Sequence, residues 1–218
     1  MPKRAHFITF EGIEGAGKST QVRAVEAHYR GAGLSVFYSR EPGGSPLSNG
    51  IRDVLLRSSG IAIDPISELL LIEAARRQHV VDVLSKALPA HDLVLCDRFT
   101  DSSLAYQGGG RRLDLAWIKS LNERAAEGLT PDLTILLDAP VERALSRALA
   151  RISSDRPGAA EDRFEREDRS FHERVRETYL RVAKDDPKRF LVLDASKPAE
   201  ELTASIVRKI DLLRKNRT

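Results

Sequence analysis

The chain has 218 residues, 41% of them hydrophobic and 31% charged, and a formal net charge of +3. That length and apolar fraction suffice for one sizeable core with at most a small lid, and the near-balanced charge, with no run of five like charges, gives no case for nucleic acid or a membrane surface as a partner. No segment approaches the roughly 18 apolar residues of a membrane span, and the single cysteine, Cys96, excludes an internal disulfide and points to a reducing compartment.

The N-terminal Met-Pro-Lys-Arg-Ala-His is charged but leads straight into a strand-like run, without the roughly 7 to 15 apolar residues of a signal peptide. A cytoplasmic protein is the expectation. No His/Cys spacing suggests structural zinc. Arginine far outnumbers lysine; guanidinium forks suit phosphates, although a GC-rich genome produces the same bias.

In chain order, the apolar run His6 to Phe10 predicts the first strand. Next comes Gly12-Ile13-Glu14-Gly15-Ala16-Gly17-Lys18-Ser19, a complete G-x-x-x-x-G-K-[ST] phosphate-binding loop, continued by Thr20 into a helix predicted near 18–31. The glycines let backbone N–H groups turn toward phosphate oxygens, and the helix adds its positive end. Lys18 reaches the terminal phosphates and the Ser19 hydroxyl serves Mg²⁺. Binding of a nucleoside triphosphate follows.

Ser35 to Tyr38 is the second predicted strand. After it, Ser39-Arg40-Glu41-Pro42-Gly43-Gly44 forms a turn, with Arg52 on a helix near 47–57. Such a turn can receive an anionic acceptor, and equally can be a plain Pro-Gly turn with a solvated arginine. On the helix near 65–88, Leu69, Leu70 and Ile72 supply an apolar face, and Arg76 reads most simply as a stem packed on the surface. Leu93 to Cys96 is the third strand and ends in Asp97-Arg98-Phe99. Beside a phosphate loop, an acid so placed holds Mg²⁺ and the arginine bridges two phosphates, whereas an isolated Asp-Arg is a surface ion pair. Ser102 to Arg111, with Ser103, Tyr106 and Gln107, reads either as a flexible loop or as a pocket for a base edge and sugar, because an amide both donates to and accepts from a pyrimidine. Helices near 114–127 and 140–151 flank the fourth strand, Leu133 to Leu137. Residues 153–162 are too polar for core and read as an exposed flap. A helix near 163–184, a strand from Phe190 to Leu193 and a helix near 198–214 follow. This alternation predicts an α/β fold, a three-layer sandwich around a five-stranded parallel sheet, with ligands at the carboxyl ends of the strands.

Taken together, Phe10 to Thr20, Arg40 to Gly44, Ala74-Ala75-Arg76, Asp97-Arg98-Phe99, Ser102 to Arg111 and Asp162-Arg163-Phe164-Glu165 resemble the motifs of the thymidylate kinases, in that family's order. The resemblance implies a P-loop nucleoside monophosphate kinase fold over residues 1–218, with a mobile lid at about 147–163. It implies transfer of the γ-phosphate of ATP to dTMP, giving dTDP, with Mg²⁺ as cofactor, in a cytoplasmic homodimer without nucleic-acid or membrane partners. By the same resemblance Glu41-Pro42 is a cis peptide, Glu14 lies near the acceptor 3'-hydroxyl, and Arg40, Arg52 and Arg98 face the acceptor phosphate. Arg76 and Gln107 read the thymine edge, while Ser103 and Tyr106 shape the base and sugar pocket. Some members carry an extra arginine inside the phosphate loop and others in the lid. With Gly15 at the loop position the chain resembles the bacterial, lid-arginine type, which implies Arg147, Arg151, Arg156 and Arg163 as candidates beside Lys18, Asp97 and Arg98 in the catalytic group. Adenine is expected between the Arg147 region and the turn Ala195-Ser196-Lys197-Pro198. One departure stands out: Ile72 occupies the position where the family usually places a phenylalanine against thymine. Two other readings of these residues are a kinase for a different deoxynucleotide or nucleoside, and a nucleotide-dependent regulatory switch.

Overall fold

The computed structural model describes residues 4–56, 62–154 and 163–216. Five strands form one parallel sheet in the order β2-β3-β1-β4-β5, where β1 is His6–Glu11, β2 Val36–Arg40, β3 Leu93–Asp97, β4 Leu133–Asp138 and β5 Phe190–Asp194. The position of each strand follows from its apolar pattern. β1 and β4 are near-continuous apolar runs buried on both faces, as central strands must be, whereas β2 and β5 alternate buried and more exposed residues and lie at the edges.

The helices are α1 (Lys18–Gly31), α2 (Pro46–Leu56), α3 (Pro65–His79), α4 (Ser85–Ala90), α5 (Thr100–Ser103), α6 (Leu115–Ala126), α7 (Val141–Ser154), α8 (Arg169–Asp185) and α9 (Ala199–Lys215). Widened, π-type turns join α3 to α4 over Val80–Leu84 and extend α5 over Leu104–Gly110. On one face of the sheet, Ile8 and Phe10 meet Val22, Val25 and Tyr29 of α1, Phe171 and Tyr179 of α8, and Ile206 of α9. On the other, Phe7, Val94 and Cys96 meet Val80, Leu84 and Leu88. The alternation along β1 thus divides the core in two and produces the expected three layers.

Two expectations need correction. The helix anticipated from about 163 begins at Arg169, because Asp168 caps it by accepting from the Phe171 N–H at 2.7 Å. Of the two readings of 102–111, the flexible loop does not hold, because Thr100–Ser103 and Leu104–Gly110 are helical. The glycines of this stretch, which argue against helix in isolation, are there for close approach: a Cβ on Gly109 would stand 2.8 Å from the Arg174 carbonyl oxygen, and one on Gly110 would run into the edge of the Phe171 ring, 2.7 Å from Cζ. Packing on α8 overrides the local propensity. The flap 153–162 falls almost wholly outside the described residues, so Arg156 has no described place, and of Arg151 only the backbone of α7 is described.

Candidate active site

Strand register brings the motifs together. Phe10 and Arg40 both pair with Asp97, so the phosphate loop after β1, the turn after β2 and the Asp97-Arg98-Phe99 segment after β3 emerge side by side at the carboxyl edge. This is the place where the chain leaves β1 with neighbours running off in opposite directions, the crevice of an open α/β sheet.

The loop wraps over the start of α1 with Gly12, Gly15 and Gly17 at φ of 138°, 71° and 97°, values that L side chains seldom adopt. Lys18 donates to the carbonyl oxygens of Gly12 (2.9 Å) and Ile13 (3.0 Å). Burial and the neighbouring Arg98 push its pKa down to about 8. A cleft of about 420 Å³ runs from Gly15 to Gln21 toward Arg147, Ala195, Lys197 and Leu202. It joins the loop to the Arg147 side and the turn where the resemblance puts adenine.

A second cleft, about 510 Å³, shares Gly15, Lys18 and Ser19 with the first and extends the opposite way. Arg40, Glu41, Pro42 and Arg52 line its near part, and Ile72, Arg76, Ser103, Tyr106, Gln107 and Phe164 its far part. Glu41-Pro42 is cis, as expected. The exposed Arg40 faces the cleft, and Arg52 is braced by donating to the Pro42 carbonyl at 2.9 Å.

Asp97 and Ser19 meet where the clefts join. The Ser19 hydroxyl lies 3.5 Å from Asp97 Oδ2, while Oδ1 is buried without a protein partner. An orphaned carboxylate oxygen beside a hydroxyl and a phosphate site suits Mg²⁺, which takes one or two protein ligands and completes its shell with phosphate and water. Among the described residues no cluster of three or more His, Cys, Asp or Glu offers an all-protein cage.

Arg98 is the hub of the junction. It adopts φ of 71°, uncommon for a residue with a side chain and costing on the order of 1 to 2 kcal/mol. Its guanidinium donates to Gly12 O (3.1 Å), Ser102 Oγ (3.2 Å), Glu14 Oε1 (2.8 Å) and the hydroxyls of Tyr106 (3.0 Å) and Tyr179 (3.1 Å). The Tyr106 hydroxyl in turn donates to both Glu14 oxygens, at 2.6 and 2.7 Å. Burial alone would raise the Glu14 pKa, but Arg98, Lys18 and the Tyr106 hydroxyl outweigh it and hold the carboxyl below its ordinary value.

Arg76 is no surface stem. It is 1% exposed, and Nε donates to Glu41 (2.8 Å), Nη1 to Glu73 (2.5 Å), Ser103 (2.9 Å) and Asn122 (2.6 Å), and Nη2 to the Phe99 carbonyl (3.0 Å). Glu41 is fixed from its other side by His79 Nδ1 at 2.9 Å, and His79 Nε2 lies 2.6 Å from the Ser39 hydroxyl. A buried chain of contacts therefore connects the turn after β2 to the far end of the cleft.

Arg163 departs from expectation as a candidate for the phosphoryl group. It donates to the Leu55 carbonyl and to Glu68 Oε2 (2.7 Å), away from the loop. Arg147 is exposed on the donor side of the loop.

Sequence reasoning missed Glu11, Glu68, Glu73, His79 and Tyr179. Glu11 is fully buried below Arg98, accepting from Phe99 N (2.8 Å), Ser102 Oγ (2.6 Å) and Tyr179 OH (2.7 Å). Burial and Asp101 raise its pKa to about 7, against Arg98 and these donors. One signal was available: Glu68 and Arg76 lie four residues either side of Ile72, on one helix face.

A phosphate loop, a donor cleft and an anion-receiving acceptor cleft meeting at one lysine, on a parallel sheet of this order, define a P-loop kinase of the nucleoside monophosphate kinase type. Residues 10–206 match the family model described as Thymidylate kinase. The chain is 50% identical over 200 residues to the thymidylate kinase of Geotalea daltonii, covering 92% of this chain and 94% of that one. It is 51% identical over 201 residues to that of Geobacter sulfurreducens, with the same two coverages of 92% and 94%. Its structure resembles the crystal structure of thymidylate kinase from Ehrlichia chaffeensis with a TM-score of 0.73 at 31% identity, covering 95% of this chain and 98% of that one. The chain belongs to the thymidylate kinase family.

Proposed function

We propose that the chain transfers the γ-phosphate of ATP to dTMP, giving dTDP and ADP for dTTP synthesis. The observation that carries this is the meeting of the two clefts at Gly15, Lys18 and Ser19: one nucleotide on each side places both phosphate chains over the same lysine.

Phosphoryl transfer asks the protein chiefly for alignment and charge stabilisation. An acceptor phosphate oxygen attacks the γ-phosphorus while the bridging oxygen leaves with ADP. Arg40, Arg52 and Arg98 neutralise the acceptor phosphate, which otherwise repels the donor. Residues Gly12 to Thr20 bind the donor phosphates, with Lys18 on the transferring group. Ser19 and Asp97 would hold Mg²⁺, which would supply neutralisation of charge on those phosphates. Arg147, Arg151 and Arg156 remain the candidates for the additional transition-state cation; the contacts of Arg163 favour anchoring the root of the lid at about 147–163 instead. Glu14 and Tyr106 bracket the sugar. At the far end, Arg76 Nη2 has a second N–H beyond the one given to Phe99, a donor suited to the thymine O4, and Gln107 and Ser103 line the same space.

Exposed apolar side chains on adjacent helices, Ile66 and Leu70 of α3 and Trp117 of α6, support homodimerisation through that surface. Among the described residues no helix is long and apolar enough to cross a membrane, and we place the enzyme in the cytoplasm.

The test is ADP release with ATP and Mg²⁺ across dTMP, dUMP, dCMP and no acceptor. The highest efficiency is expected with dTMP. Loss of the methyl group removes only about 0.8 kcal/mol of apolar burial, so dUMP should be a weaker substrate, and dCMP far poorer. Comparable efficiency on dCMP, or ATP turnover independent of acceptor, would overturn the reading.

A further inference from the structure

Glu68 opens the first turn of α3 and is completely buried, yet it sits outside the chemistry described above. Its carboxylate gathers three donors from different parts of the chain. Gln107 Nε2 lies 2.7 Å from Oε1, Arg111 Nη2 lies 3.0 Å from Oε2, and Arg163 Nη2 lies 2.7 Å from Oε2. Arg111 is held further by Glu167 at 2.6 Å. Gln107 is itself 1% exposed and lines the far end of the acceptor cleft with Arg76, Ser103 and Ile72.

A primary amide has a donor arm and an acceptor arm of nearly equal size, and in a pocket it can present either one to a ligand. Glu68 removes that freedom. Clasped by two guanidinium groups, its carboxylate offers only lone pairs, so the Gln107 nitrogen must turn toward it and the carbonyl oxygen becomes the other arm. We infer that Glu68 is a specificity-determining positioning residue, which selects thymine over cytosine by locking the Gln107 amide with its acceptor toward the base. Thymine presents N3–H, a donor that this oxygen accepts. Cytosine presents a bare N3 lone pair against the same oxygen, and an amine where Arg76 offers a further donor. Both mismatches leave buried polar groups unpaired, the kind of penalty that discriminates strongly. A flipped amide would reverse the preference at N3. This inference rests on the reading that Gln107 faces the base, and the variants below separate failure of the two.

The experiment compares kcat/KM for dTMP and dCMP, with ATP and Mg²⁺, in the wild type and in Glu68→Gln, Glu68→Asp and Gln107→Leu, alongside melting temperatures. In Glu68→Gln the neighbouring side chain can accept from or donate to Gln107, the amide is free to turn, and the dTMP-to-dCMP ratio should fall about tenfold or more, mostly through KM. Glu68→Asp keeps the charge for Arg111 and Arg163 but retracts it from Nε2. Its ratio should fall in the same direction by less, and it decides the matter if Glu68→Gln does not fold. A merely structural role lowers both efficiencies together at constant ratio, and that result overturns the inference. If Gln107→Leu leaves the ratio at the wild-type value, base recognition by Gln107 is wrong and the inference falls with it. If Gln107→Leu lowers the ratio while both Glu68 variants keep it, the inference alone is refuted.

Discussion

Replacing Gly15 by alanine tests how closely α7 is seated on the phosphate loop. Gly15 has φ of 71°, and a Cβ added there would run into the carbonyl group of Ala144, standing 2.8 Å from its carbon and 3.1 Å from the Ala148 nitrogen. Both neighbours are backbone atoms of a packed helix, with the Ala144 and Ala148 side chains at 0% and 1% exposure, so nothing flexible can swing aside. The left-handed conformation costs alanine about 1 kcal/mol relative to glycine. Displacing packed backbone adds about 1 to 3 kcal/mol, for a total of roughly 2 to 4 kcal/mol. In a domain of this size each kcal/mol moves the melting temperature by roughly 2 to 4 °C, so a fall of about 4 to 16 °C is expected in a nucleotide-free melt. Because α7 also carries Arg147 to the donor cleft, the ATP KM should rise with it. A melting temperature within about 1 °C of wild type, together with an unchanged ATP KM, would refute the seating of α7 on the loop. Gly15→Arg, which imitates relatives with a loop arginine, should fail for the same reason rather than gain activity.

Lys18→Ala should fold normally, since the wild-type ammonium is buried at some cost, but lose at least about a hundredfold in kcat, on the order of 3 kcal/mol; near-wild-type turnover with a native circular dichroism spectrum would contradict it. Ile72 is half-buried and lines the base end of the acceptor cleft, so Ile72→Phe should supply stacking worth roughly 1 kcal/mol and lower the dTMP KM severalfold with little change in kcat. A lower melting temperature without tighter dTMP binding would show that Ile72 is packing and that another ring, Phe164 being on the same cleft, meets the base. Glu11, raised to about 7 by burial and Asp101, binds its proton in the native state at pH values where the unfolded chain has released it. Its contribution is therefore present below about pH 4.5 and lost as the pH rises through 7, on the order of 3 kcal/mol. Urea unfolding of Glu11→Gln at pH 5 and pH 8 should show a flatter dependence than wild type, and parallel stability curves for the two proteins would count against the assigned titration.

The local pattern of residues was enough to reveal the five strands and the phosphate loop, because each depends on neighbours within one element: glycine spacing, apolar runs, a lysine at a helix start. The cis Glu41-Pro42 turn and the acceptor residues were legible only through resemblance, since Arg40 and Arg52 look like any solvated arginines until Asp97 is paired beside Phe10 and Arg40. Tertiary structure alone decided what the charged residues do. Arg76, which reads as a surface stem, is buried because Glu41, Glu73, Ser103 and Asn122, drawn from four separate segments, repay its desolvation with hydrogen bonds. The glycines of 108–110 allowed a flexible loop as one of two readings and are helical, packed where α8 leaves no room for a Cβ at Gly109 or Gly110. Glu68 and Arg163 are about a hundred positions apart in the chain, and no periodicity relates them. Their ion pair exists only because the fold returns the end of the lid to the start of α3, and a buried carboxylate must find its partners wherever the chain brings them.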